Sequence, residues 1–141
     1  MANTAALQAA IEWVRNDLAR QYGMPFERRK VELETGGWRT FNAVGGECSV
    51  VATVMNSSGA TSGGKKPVGK IRGAIAELYF LSLVAAPHRM LVTTNESFLT
   101  FLQHELVGAL ATGLELVHVA LPPDLAAAVA RVNEIASQEM N

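Results

Sequence analysis

Seven residues constrain this chain more than any others: Ser49-Val-Val-Ala-Thr-Val-Met55 is apolar or β-branched at both parities. A strand with one solvated face alternates apolar and polar side chains, so a run without alternation has to be covered on both faces. The stretch therefore predicts a central strand with helices above and below it. Upstream, Leu7, Ile11, Val14 and Leu18 recur on one helical stripe, which predicts a helix from about Thr4 to Tyr22 that Gly23-Met-Pro25 ends. Phe26–Glu34 and Trp38–Val44 are short and rich in β-branched and aromatic residues, and Gly36-Gly37 separates them. Gly45-Gly46 then leads into a third stretch, Cys48–Asn56, so the three read as an antiparallel meander. Within the first stretch only Val31 and Leu33 are clearly inward, which marks it as an edge strand or a partly solvated one.

Downstream, Asn56 to Gly69 is polar and glycine-rich, and residues 57–69 read as a flexible Gly/Ser/Lys-rich loop. The apolar positions Ile71, Ile75, Leu78 and Leu81 to Val84 predict a helix from Lys70 to Ala86, stopped by Pro87. His88–Thr94 reads as a strand, Asn95 as the cap of a helix over Glu96–Leu110, and Leu114–Leu121 as a fifth strand. A last helix follows Pro122-Pro123-Asp124, with Leu125, Ala128, Val129, Val132 and Ile135 on one stripe. The expected fold is α/β at the α+β boundary. A helix-strand-strand-strand-helix-strand core is followed by helix-strand-helix, giving a mixed sheet flanked by helices in a single domain, residues 1–141.

The composition fits a packed protein, with 49% of the 141 residues hydrophobic and 18% charged. No apolar run approaches the roughly 18 residues needed to cross a bilayer, so a soluble cytoplasmic protein with no membrane partner is expected. Cys48 is the one cysteine. It excludes an internal disulfide and a cysteine-cluster zinc site, and it is expected as a small buried strand residue. A net charge of −1 rules out a wholly basic nucleic-acid glove, but the charge is uneven. Arg28, Arg29, Lys30, Arg39, Lys65, Lys66, Lys70 and Arg72 crowd the middle of the chain against only Glu32, Glu34 and Glu47.

Gly59-Ala-Thr-Ser-Gly-Gly-Lys-Lys66 matches G-x-x-x-x-G-K of a phosphate-binding loop. The match fails where magnesium would be held, because Lys66 stands in place of Ser or Thr, and Pro67 disfavours the helix that should start there. His88, His104 and His118 lack the spacing of metal ligands, and no Ser/His/Asp signature is present, so neither a metal site nor acyl transfer is expected. Glu77, an acid in a largely apolar helix, calls for a basic partner or a subunit contact.

Glu34 ends the first strand stretch, Asn42 sits in Thr-Phe-Asn-Ala-Val44 of the second, and the third closes on Thr-Val-Met-Asn-Ser-Ser58. With the element order around it, over about residues 5 to 95, this pattern resembles the PD-(D/E)XK nuclease superfamily, the restriction-endonuclease-like fold. The resemblance implies an acid on the second strand and a Glu-x-Lys triplet on the third, together holding Mg²⁺ and an attacking water beside a phosphate. Here Asn42 takes the place of the acid, and Val54-Met55-Asn56 takes that of the triplet, so the implied site is degenerate. Cleavage is not expected. Nor is a cofactor, unless Glu34 and Glu47 replace the missing carboxylates to bind Mg²⁺.

What the resemblance then implies is nucleic-acid binding. Lys65, Lys66, Lys70 and Arg72 would contact phosphates at the junction of loop and helix, and Trp38 would stack on a base from the same strand face as Asn42. Two blander roles stay open: cations that only solubilise a loop, and Trp38 as a core or interface residue. So does a different function. Apolar positions to spare on the last two helices also fit a non-enzymatic protein-interaction module or a homodimer, and a related helix, three-strand, helix outline occurs in small secretion chaperones.

Overall fold

In the computed structural model, which describes residues 4–59 and 65–139, the expected order of elements is present. Helix α1 (Ala5–Tyr22) leads into strands β1 (Phe26–Glu32), β2 (Trp38–Gly45) and β3 (Val50–Met55). Helix α2 (Val68–Ser82), strand β4 (His88–Thr93), helix α3 (Glu96–Glu105), strand β5 (Leu114–His118) and helix α4 (Pro123–Glu139) complete it. The five strands form one mixed sheet in the order β1-β2-β3-β4-β5. β1, β2 and β3 pair antiparallel, as tight turns allow, while β3, β4 and β5 pair parallel because helices connect them. No helix among the described residues is long and apolar enough to cross a membrane.

Both faces of the sheet are covered, as the non-alternating third stretch requires. Val50, Ala52 and Val54 of β3 face Val14 and Leu18 of α1 together with Met90 and Val92 of β4. Val51 faces the other way, into a cluster with Ile71, Ala74, Leu78 and Leu81 of α2 and Phe98 and Leu102 of α3. α4 packs along α1, and its Val129 and Val132 are buried. Five of the six side chains of β3 are buried, so the strand is central in fact as well as in order.

Three local expectations are corrected, and one strand is irregular. Cys48 is a half-buried turn residue with φ of 63°, not a buried strand residue, because the chain is still turning through 46–49 and β3 begins only at Val50. α2 starts at Val68 with Pro67 as its N-cap, since a proline there forfeits an N–H that the first turn does not need. α3 stops at Glu105 although apolar spacing continues to Leu110; Gly108 takes φ of 71°, and the backbone turns towards β5. β2 is bulged at Asn42 and Ala43, after regular pairing with β1 from Trp38 to Phe41. Glu27 pairs with Val44 but Arg29 with Phe41, so one residue of β1 opposes Asn42 and Ala43 together, and alternation breaks there. Of the expected loop 57–69, residues 60–64 lie outside the described residues.

Candidate functional site

The bulge determines what Asn42 does. Regular pairing between β2 and β3 covers only Ala43, Val44 and Gly45 against Ala52, Val51 and Val50. Where the ladder would go on, the Asn42 side chain replaces a peptide group: its Oδ1 accepts from the Val54 N–H at 2.7 Å, and its Nδ2 donates to the Val54 carbonyl at 3.1 Å. The Asn42 carbonyl accepts from Arg15 Nε of α1 at 2.7 Å. An aspartate could accept from the N–H but could not donate to the carbonyl, so the amide here has a structural reason.

Asn42 and Val54 are therefore brought together, and Asn56 follows two residues on, just past the end of β3. Its side-chain oxygen accepts from Thr94 Oγ1 at 2.7 Å, and its backbone carbonyl accepts from Asn133 Nδ2 of α4 at 2.7 Å. These bonds tie the carboxyl ends of β3 and β4 to α4. Thr94 and Asn133 gave no signal in the sequence, since each is an ordinary polar residue that only the tertiary fold brings to Asn56.

Glu34 and Glu47 do not join this group. Both are exposed, one in the turn before β2 and the other in the turn after it, so the length of the strand, at about 3.3 Å per residue, separates them. Among the described residues no cluster of three or more His, Cys, Asp or Glu side chains is placed to hold a metal ion.

Glu77 finds the basic partner that its setting demanded. Arg39 of β2 forms an ion pair with it, Thr53 Oγ1 donates to its other oxygen at 3.2 Å, and the Arg39 guanidinium lies 3.9 Å from the centroid of Phe80. The arrangement locks β2 and β3 to α2 beyond the bulge. Arg39 was one of several cations in the sequence, and nothing local singled it out.

The basic residues gather at the start of α2. Lys65, Lys66 and Arg72 are exposed and Lys70 is half-buried, on the connection from β3 and the first turns of the helix. The N-cap Pro67 supplies no side-chain cap, and the first turn carries no acid. Lys66 Nζ pairs with Glu105 Oε2 of α3 at 2.6 Å, and both line a cavity of about 540 Å³ with Ser97, Thr100, Phe101 and His104. The connection is anchored before it reaches the lysines: Gly59 is buried so closely on the first turn of α3 that an added Cβ would overlap Ser97. Trp38 is 57% exposed, with the Lys30 ammonium 5.8 Å from its ring centroid. It stands on the β1–β2 hairpin, whose turn meets the far end of α2 through a bond from the Glu34 N–H to the Leu83 carbonyl. The structure thus joins Lys65, Lys66, Lys70 and Arg72 in one place and leaves Trp38 and Glu34 in another.

Comparison of the chain with protein-family models, with curated proteins and with solved structures yields no match.

Proposed function

We propose that this chain is a nuclease-fold protein that binds nucleic acid at the start of α2 and does not cleave it. One observation carries the reading. The N-terminal end of a helix bears a partial positive charge, and here it has no acidic residue and no side-chain cap, while Lys65, Lys66, Lys70 and Arg72 add four cations around it. Like charges so placed repel one another, and an external anion such as a backbone phosphate relieves the repulsion. Lys66 reaches a phosphate by exchanging Glu105 for it. Contacts of this kind fix position without reading sequence, so weak base preference is expected.

Support for the nuclease scaffold comes from the element order and from the side-by-side placement of Asn42 and Val54. Cleavage is left out because Asn42 commits its amide to Val54, and Glu34 and Glu47 stand at opposite ends of β2. Fluorescence anisotropy with a single-stranded oligonucleotide tests the proposal. Binding should weaken with salt at a log–log slope of about −2 to −3, for three or four displaced counterions. The oligonucleotide should stay intact with Mg²⁺ or Mn²⁺ present. A protein that shows no binding even at low salt would sink the reading.

A second reading, a protein-interaction module, is favoured by an apolar groove of about 240 Å³ between α2 and the residues after α3. Ile75, Tyr79, Leu106 and Leu110 line it, and Tyr79 is 59% exposed. A photo-crosslinking side chain placed at Tyr79 that gives no adduct in cells would count against it.

A further inference from the structure

We propose that two copies of this chain associate through β5, which pairs antiparallel with itself across a two-fold axis so that two five-stranded sheets become one. The inference rests on the edge of the sheet alone and is independent of the nucleic-acid reading. The sheet ends in β1 on one side and β5 on the other, and the two edges are built differently. β1 carries Glu27, Arg28, Arg29, Lys30 and Glu32 within seven residues, and the bulge disturbs its pairing with β2. Charges and bulges on an edge strand discourage a further strand from adding to it. β5 reads Leu114-Glu-Leu-Val-His118, with one acid, no lysine, no proline and an unbroken register against β4. β5 has no bulge and a single carboxylate.

The backbone indicates what occupies that edge. Successive residues of a parallel strand turn their N–H and C=O groups alternately to one side and the other. The Val119 N–H donates to the Thr93 carbonyl at 3.0 Å, so Val119, Val117 and Glu115 turn towards β4. Leu114, Leu116 and His118 then turn to the open edge. The Leu114 N–H is taken by the Ala111 carbonyl at 3.1 Å, which leaves Leu116 and His118 as the outward donors. A two-fold axis at Leu116 sets each outward residue against another outward one: Leu116 opposes Leu116 of the second copy, and Leu114 opposes His118. The same register places Glu115 opposite Val117, whereas an axis at Glu115 would face two carboxylates directly. β5 is thus its own complement in backbone parity and length, with no like charges directly opposed, and a closed two-fold pair uses up the edge on both copies.

Sedimentation equilibrium over a wide range of protein concentration tests this, with hydrogen exchange as a second readout. The wild-type chain should show a monomer–dimer equilibrium, and the Leu116 and His118 amides should lose protection on dilution. Leu116→Pro removes an outward donor and leaves the bonds to β4 in place. It should weaken association about tenfold or more, because two symmetry-related hydrogen bonds are lost. His118→Pro is a second variant that acts on the same edge without touching the Leu116 side chain. A chain that is monomeric at every concentration overturns the proposal. So does a dimer that both variants leave intact while their circular dichroism stays native.

Discussion

Asn42, Val54 and Asn56 lie where the chain leaves β3, and Lys65 to Arg72 lie where the same connection enters α2, yet the two groups use their polar atoms in opposite ways. In the first group the polar atoms are bonded within the protein. The Asn42 amide completes the β2–β3 ladder at Val54, its carbonyl is held by Arg15, and Asn56 links Thr94 to Asn133. In the second group the side chains stand mostly in solvent around a helix end that already carries positive charge. Residues that hold strands together are not available to bind a metal or a substrate. Exposed cations that contribute little to the fold can exchange their present contacts for those of a partner. The difference therefore separates stability from binding, and substitutions in each group should affect only one of the two.

The largest effect is expected at Asn42. Asn42→Ala leaves both the Val54 N–H and the Val54 carbonyl without their partner, a loss of about 2–6 kcal/mol at roughly 1–3 kcal/mol for each abandoned group. Urea unfolding would measure it, and binding to an oligonucleotide should be unchanged in the folded fraction. Asn42→Asp keeps the acceptor and loses the donor, so about 1–2 kcal/mol is expected, less than for alanine. An aspartate variant as stable as the wild type would show that the amide is not needed for the ladder. Asn56→Ala breaks the bond to Thr94 while the backbone bond to Asn133 remains, and should cost about 1 kcal/mol in the same unfolding experiment. At the other end of the connection, Lys65→Ala with Lys66→Ala should change stability by less than about 1 kcal/mol, since an exposed pair such as Lys66–Glu105 is worth little. A large fall in melting temperature for that double variant would erase the contrast between the groups.

How much of this could be read in advance follows from the range of each signal. The order of elements was legible because the 3.6-residue stripes, the non-alternating third stretch and the Gly and Pro punctuation are all local. The Asn95 cap was legible for the same reason, and its side chain does accept from the Phe98 N–H at 2.9 Å. The need of Glu77 for a cation was visible as well, but not that Arg39, on a different element, would supply it. The bulge was missed because alternation was carried unbroken through β2. Ala43 and Val44 are both buried only because they face opposite covered sides of the sheet, so nothing local in the sequence marked the bulge. The early end of α3 was hidden by apolar residues that continue the helical spacing past Glu105, where Gly108 turns the backbone away. As for the site, Asn42 and Val54 could be placed side by side from the order of strands. What the Asn42 amide does there depends on the bulge, and so could not be read.

The most direct test of the separation between fold and binding is the salt dependence of oligonucleotide binding in a variant with Lys65, Lys66, Lys70 and Arg72 all replaced by glutamine. The account predicts a protein that unfolds at nearly the wild-type urea concentration, with its binding slope reduced by about 0.7 for each phosphate contact removed, and so close to flat. A variant that keeps the wild-type slope and affinity would contradict it.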